Sequence, residues 1–288
     1  MLLTNARSIL PKMDELRLQA SSLCADIVFV SETWLNNDID NGLISINSYS
    51  SYRSDRALRK GGGVAVWVNN ALRSYTLPPV VTAPSSVETI FLKIICKGLS
   101  LICICVYIPP GLVKSEHDLI SKFLIFESDR LLSLHPDSKL IFAGDLNDIS
   151  TDFLQEQLCL ENTVTVPTRG GAILDQIWID PELRRFYPNS AMVGSPLANS
   201  DHACVLLLPS SSLTMTSASC LTRSTLVWDY RESNICNYLR RLSCVDFSPI
   251  ETACNVDDMC KIFYDLLFEC ISVIPCEFAT LTARESIG

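Results

Sequence analysis

The sequence predicts an α/β fold in which two β-sheets pack face to face with helices on the outside. Three observations predict it. Seven apolar runs of strand length lie in the first 209 residues, interleaved with few helical patterns, whereas a doubly wound single sheet needs about as many helices as strands. Many of these runs are bounded by Gly, Pro, Asn or Asp, the residues that turn a chain. The chain has 288 residues, 48% of them hydrophobic and 19% charged, enough to bury a sizeable core.

In chain order, a short apolar run from Met1 to Leu3 leads to Asn5. A helical pattern follows from about 11 to 24, with Pro11 near its first turn, where the missing N–H is harmless. Strand-length runs come next at "DIVFVSE" (26 to 32), "GVAVWVN" (63 to 69), "TIFLKII" (89 to 95) and "LSLICICVYI" (99 to 108). A second helix is expected from about 115 to 134, capped by Ser115, with Leu119, Phe123, Phe126, Arg130 and Leu134 on one face. "KLIFAGD" (139 to 145) is a strand, a shorter helix follows Ser150 or Thr151, and "ILDQIWID" (173 to 180) and "ACVLLLP" (203 to 209) complete the strands. Ten of the seventeen residues from 209 to 225 are Ser or Thr without apolar periodicity, which reads as a linker. Beyond it Val256, Met259, Cys260, Phe263, Leu267, Cys270 and Ile274 share a helical face suited to core packing or docking. The expected organisation is therefore residues 1–209, a linker at 210–225, and a helical segment at 226–288.

Bulk properties exclude several classes. No uninterrupted apolar run approaches the ~20 residues that span a bilayer, so no membrane partner is expected. The start lacks a basic segment before an apolar core, which argues against secretion and for a nuclear or cytoplasmic protein. Thirteen cysteines contain no C-x-x-C, only the i, i+2 pair Cys103 and Cys105, and there are three histidines; this spacing fits reduced, mostly buried thiols better than zinc or disulfides. The net charge of −9 argues against coating nucleic acid by charge alone, but a local basic track would suffice for a nuclease.

Polar residues gather at strand ends. Glu32 follows "VFVS", Tyr107 ends "CICVY", Asp145 and Asn147 follow "LIFAG", Asp175 opens "DQIWID", and Ser200, Asp201 and His202 precede "ACVLLL". Each alone has a plain reading: Glu32 as a solvated carboxylate, Asp145 and Asn147 as turn formers, Asp175 as a cap, His202 as a satisfied core residue, Asp201 as a strand-end charge. The D-x-N-D run lacks the sixth-position Gly of a calcium loop. Jointly these residues suggest one chemical site at the end of the sheets.

The blocks "TNARSI" (4 to 9), "SETW" (31 to 34), "GGGVAVWV" (61 to 68), "VYIPP" (106 to 110), "GDLN" (144 to 147), "PTR" (167 to 169), "LDQIW" (174 to 178) and "SDH" (200 to 202) occur in this order. Together they resemble the endonuclease/exonuclease/phosphatase superfamily, and within it the apurinic-type endonuclease domain of jockey-like non-LTR retrotransposons. "WDYRESN" and "ISVIPCE" are similar to the connector before the reverse transcriptase of such elements; the polymerase itself is not in this sequence. The resemblance implies a deoxyribonuclease-I-like four-layer α/β sandwich with a C-terminal helical tail, and metal-dependent hydrolysis of a phosphodiester with Mg²⁺, or Mn²⁺ in its place. By motif, Glu32 would hold the cation with Asn5, an oxygen set suited to a hard ion, and Asp201 would support it. Asp145 and Asn147 would position or deprotonate water, His202 oriented by Asp175 would act as base or stabilise the transition state, and Tyr107 would bond the phosphate.

Two departures from the family pattern stand out. Ile108 replaces an Arg often found after the tyrosine, and the first strand is short, which would weaken the presentation of Asn5. DNA contacts are expected from Arg53, Arg56, Arg59 and Lys60 in "YRSDRALRKGGG", from Thr168 and Arg169, and from Ser200. The implied function is nicking of DNA to leave a 3′-hydroxyl, with a reverse transcriptase or element RNA machinery as partner in trans. The rivals are a phosphatase or phosphodiesterase of the same superfamily and a decayed, non-catalytic remnant that binds DNA or protein.

Overall fold

The computed structural model describes residues 1–56, 61–96, 98–210, 224–228, 232–253, 255–271 and 276–280. The chain divides into two compact units, Met1–Thr214 and Met215–Gly288. The expected linker falls largely outside the described residues.

The strands of the first unit are β1 Leu2–Asn5, β2 Ile27–Ser31, β3 Tyr49–Ser54, β4 Val64–Asn69, β5 Arg73–Thr76, β6 Glu88–Cys96, β7 Leu99–Tyr107, β8 Ser138–Asp145, β9 Glu161–Asn162, β10 Asp175–Ile179, β11 Met192–Pro196 and β12 Ala203–Leu206. Its helices are α1 Met13–Ser22, α2 Lys114–Leu134 and α3 Asp152–Glu156. One six-stranded sheet runs β11-β12-β1-β2-β4-β3 and the other β5-β6-β7-β8-β10-β9. Both are mixed: β1 and β2 are parallel, as are β7 and β8, while the remaining pairs are antiparallel.

The period of two along a strand sorts its side chains into layers. In β7, Leu101, Cys103, Cys105 and Tyr107 face the core between the sheets, while Ile102, Ile104 and Val106 face the helix layer with Phe123 and Leu124 of α2. On the opposite outer face, Val28, Val30 and Trp67 pack with Met13, Leu16 and Ala20 of α1. The result is a four-layer sandwich. The i, i+2 spacing of Cys103 and Cys105 thus puts both thiols in the inter-sheet core, where burial pushes their pKa values up. Ten cysteines among the described residues are free, but Cys24, Cys159, Cys236, Cys244 and Cys260 of these are exposed, so the expectation of mostly buried thiols is corrected.

Helix α2 presents a different face from the one expected. Ile120, Phe123, Leu124, Glu127, Ser128 and Leu131 are buried, whereas Leu119, Phe126 and Leu134 are exposed; rotating the stripe by one residue aligns it with the sheet. The helix begins one residue before Ser115, and Glu116 rather than Ser115 closes its first turn by accepting the Val113 N–H. Short as it is, β1 lies between β12 and β2 with every residue buried, so two ladders hold the strand that presents Asn5. No helix among the described residues is long and apolar enough to cross a membrane.

The second unit contains β13 (Ser224–Trp228) paired antiparallel with β14 (Cys276–Thr280), and helices α4 (Glu232–Leu242), α5 (Ser248–Glu251) and α6 (Val256–Ile271). Helix α6 carries much of the expected apolar stripe; Cys270 on it is buried, and Val256, Met259 and Phe263 are exposed. Ile274 lies outside the described residues.

Candidate active site

The strand directions bring six of the expected residues to one end of the sandwich. Asn5 ends β1, Glu32 follows β2 and His202 precedes β12 in one sheet; Tyr107 ends β7, Asp145 ends β8 and Asp175 begins β10 in the other. Register aligns Tyr107 with Asp145 and Asp145 with Asp175. Side-chain bonds then join the sheets. Asn5 Nδ2 donates to Asp145 Oδ2 at 2.7 Å and to Glu32 Oε1 at 3.1 Å. Tyr107 donates to Glu32 Oε1 at 3.2 Å, and His202 Nδ1 lies 2.7 Å from Asp175 Oδ2.

Local sequence explains why the residues sit there. A Cβ on Gly144 would lie 1.8 Å from the carbonyl oxygen of Val106, so only glycine lets β8 approach β7 closely enough to set Asp145 beside Tyr107. Backbone strain concentrates nearby: Arg7, Ser8, Glu32, Trp34 and Asn147 all have positive φ, a conformation that L-residues with side chains adopt when surrounding bonds enforce it. Those bonds include Trp34 N–H to Gly62 O at 2.9 Å and Ser8 N–H to Glu32 O at 2.9 Å. Trp34, a member of the "SETW" block without an assigned role, donates its indole N–H to Glu32 Oε2 at 3.1 Å.

Electrostatics follow from burial. Asp145 is pushed up to about 7 by burial and by the charge of Asp175, against the pull of His202 and the N–H groups of Asn5 and Asn147. Burial works to discharge His202, but the hydrogen bond and charge of Asp175, with Asp145, outweigh it and raise its pKa. The Tyr107 hydroxyl is held far above its ordinary value by burial, then by Glu32 and Asp145. Because Asp175 accepts from Nδ1, the remaining His202 nitrogen, Nε2, is the one able to exchange a proton.

The donor set suits a hard divalent cation. Asp145, Asp175 and His202 offer ligand atoms within 4.8 Å of one another, and Asp175 Oδ1 is a buried oxygen with no hydrogen-bond partner. Glu32, less buried than these three, accepts bonds from Asn5, Tyr107 and Trp34. Asn5 bridges two carboxylate groups: Glu32 can offer oxygens to the cation, while Asp145 and Asp175 can either join it or serve proton transfer with His202.

Other expected residues have different places. Asp201, expected beside the cation, is bound by Arg169 at 2.7 Å and Arg7 at 3.2 Å. Asn147 donates its side-chain amide to Ile108 O at 2.7 Å and its backbone N–H to Asp145, which braces the loop. Ile108 itself is buried against the α2 layer, so its apolar side chain completes a core. Thr168 and Ser200, expected on DNA, are buried: Thr168 Oγ1 accepts the Asp175 N–H, and Ser200 Oγ donates to Asn5 O at 2.7 Å. Both hold site residues in place. Arg53 is tied to Asp55 and to the carbonyls of Asn36 and Ile39. Arg56 forms a two-armed pair with Glu88, at 2.6 and 2.8 Å, with its guanidinium 5.4 Å from the Tyr107 ring centroid. Both guanidiniums are engaged within the protein. Arg59 and Lys60 lie outside the described residues. Arg169 is exposed, and Arg7, which the strand-end pattern did not single out, joins it.

Residues 4–202 match the Endonuclease/Exonuclease/phosphatase family. No curated protein matches the chain. Among solved structures, the fold is similar to the AP endonuclease LMAP from Leishmania major, with a TM-score of 0.57 at 15% identity over 71% of this chain and 85% of that one. It is also similar to the endonuclease domain of TRAS1, a telomere-specific non-LTR retrotransposon, with a TM-score of 0.53, 18% identity, and 71% and 94% coverage. The 3′-5′ exonuclease NExo from Neisseria meningitidis gives a TM-score of 0.53 at 16% identity, covering 71% of this chain and 98% of that one.

Proposed function

Because this chain belongs to the endonuclease/exonuclease/phosphatase family, we propose that it is a divalent-metal-dependent DNA endonuclease that nicks one strand and leaves a 3′-hydroxyl. The observation that carries the reading is the set of three bonds across the sheets, Asn5 to Asp145, Tyr107 to Glu32 and His202 to Asp175. These bonds support the reading because they join the His202–Asp175 pair, Asp145, the Tyr107 hydroxyl and the half-buried Glu32 carboxylate at one end of the two sheets. Glu32, with Asn5, would hold Mg²⁺ or Mn²⁺, which supplies charge neutralisation at the phosphate and the departing oxygen. Asp145, which burial and the charge of Asp175 make more basic than an ordinary aspartate, takes the proton of the attacking water as its oxygen joins phosphorus. The P–O3′ bond breaks, and the departing oxygen takes a proton from solvent. His202, oriented by Asp175, whose bond and charge favour the imidazolium form, stabilises charge on the phosphoryl oxygens, and the Tyr107 hydroxyl, whose ionisation burial and the neighbouring carboxylates oppose, donates to them. Asn147 keeps the Asp145 loop fixed.

DNA as substrate is supported by fold similarity to nucleases, among them the endonuclease domain of a non-LTR retrotransposon. A reverse transcriptase acting in trans would use the 3′-hydroxyl as primer. The test is conversion of supercoiled plasmid to open circles with Mg²⁺ and with EDTA. We expect nicking only with metal, and a loss of about 10²-fold or more in Asp145→Asn. Turnover of small phosphoesters without plasmid nicking would instead establish a phosphatase.

A further inference from the structure

The rim of the site carries a basic pair that the proposed chemistry leaves unused. Arg7 lies two residues beyond Asn5, and Arg169 lies in the segment between β9 and β10. Each meets Asp201 Oδ2 through one terminal nitrogen, at 3.2 and 2.7 Å. All three side chains are well exposed: 49% for Arg7, 41% for Arg169 and 37% for Asp201. Ion pairs this exposed add little to stability, yet the backbone is strained to place one of them. Arg7 and Ser8 are consecutive left-handed residues, with φ of 41° and 80°, and the Arg7 N–H is anchored on Asn5 Oδ1 at 3.1 Å. Strain held at a site edge by bonds to site residues calls for a functional account.

We propose that Arg7 and Arg169 form a clamp for a backbone phosphate of DNA adjacent to the one being cut, with Asp201 orienting both guanidiniums. This rests on the nuclease reading of the site. A guanidinium is a planar fork of five donors matched to phosphate oxygens, and each of these contacts Asp201 by one nitrogen, leaving others for a ligand. The shared carboxylate holds two long side chains before binding, which reduces the ordering cost that a ligand would otherwise meet. Two positive charges against one leave the trio attractive to an anion within a chain of net charge −9. Its place fits a neighbouring phosphate: Arg7 is bonded to Asn5, and the charge of Arg169 is felt by His202, so the clamp borders the proton-transfer groups without entering them. A substrate with a single phosphate would have nothing to place there.

The test measures binding of a fluorescent duplex by the full chain carrying Asp145→Asn, across a salt series without cleavage. Adding Arg7→Ala and Arg169→Ala should weaken binding about tenfold or more at low salt and lower the slope of log K against log salt by about 0.9 for the lost phosphate contact. Lys at both positions should restore most of the salt slope and only part of the affinity, because charge returns without the fork. Arg169→Ala alone, away from the strained turn, should show a smaller loss with circular dichroism unchanged. Parental affinity and slope in the folded Ala variants would overturn the clamp while leaving the nuclease reading standing. Absence of DNA binding by the Asp145→Asn chain itself would overturn both.

Discussion

Asp145 illustrates what a single residue at a strand end can do that a turn former cannot. Asn would turn the chain as well, but only a carboxylate beside Asp175 acquires a proton affinity near neutrality. The fold raises its pKa from the ordinary 3.8 to about 7, so between these values the folded chain keeps a proton that the unfolded chain has released. Stability from this group is therefore greatest at low pH and falls as pH rises from about 4 to about 7. Loss of the proton from His202, whose pKa is raised, acts in the same direction. In the metal-free protein, the Tm of Asp145→Asn relative to the parent should thus climb across that window and level off above it. A difference that stays flat with pH would refute the assignment of Asp145 as the buried, proton-holding carboxylate. That Asp145, Glu32 and His202 gather at one end of the sheets was legible because each borders an apolar run. The contacts of Arg53, Arg56, Thr168 and Ser200 were not, since an Arg or a hydroxyl outside the apolar runs reads the same whether it meets solvent or, as Arg56 does, a buried Glu88.

At the scale of elements, central strands were legible because burial on both faces makes them continuous apolar runs. The edge strands β3, β5 and β11 were not: their residues are half-buried or exposed, so their composition resembles that of loops. Helix α2 shows the limit of periodicity, since two overlapping apolar stripes fit its sequence and only the sheet selects one. Leu124→Ala, in the buried stripe, should cost about 2–5 kcal/mol of stability, whereas Leu119→Glu should fall within about 0.5 kcal/mol of the parent. Denaturant melts of both variants check this, and the reverse order would restore the face expected from sequence. Gly144→Ala sets a harder limit. Its Cβ meets backbone, 1.8 Å from Val106 O, so β7 and β8 must separate at the point where Tyr107 and Asp145 face each other. Stability and nicking should then fall together, unlike in Asp145→Asn, where folding is retained.

The whole first unit behaves as one device because no single sheet owns the site. Asn5, Glu32 and His202 come from one sheet and Tyr107, Asp145 and Asp175 from the other, and the three bonds that organise them all run between the two. Such a site exists only while the inter-sheet core is packed, so activity should disappear at the same urea concentration at which the sandwich unfolds. All six residues lie in the unit Met1–Thr214, as does the stretch 4–202 that matches the family. Its last strand, β12, is paired with the first, and the chain leaves it through Leu207 N–H to Met1 O and Ser210 N–H to Phe186 O. A chain ending at Thr214 keeps every one of these bonds. It should therefore fold cooperatively and nick plasmid in Mg²⁺ at a rate within about threefold of the full chain, a difference below 1 kcal/mol in barrier height. If that shorter chain is insoluble, or folds but does not cut while the full chain does, residues beyond 214 complete the active unit and their helices have a part in the chemistry.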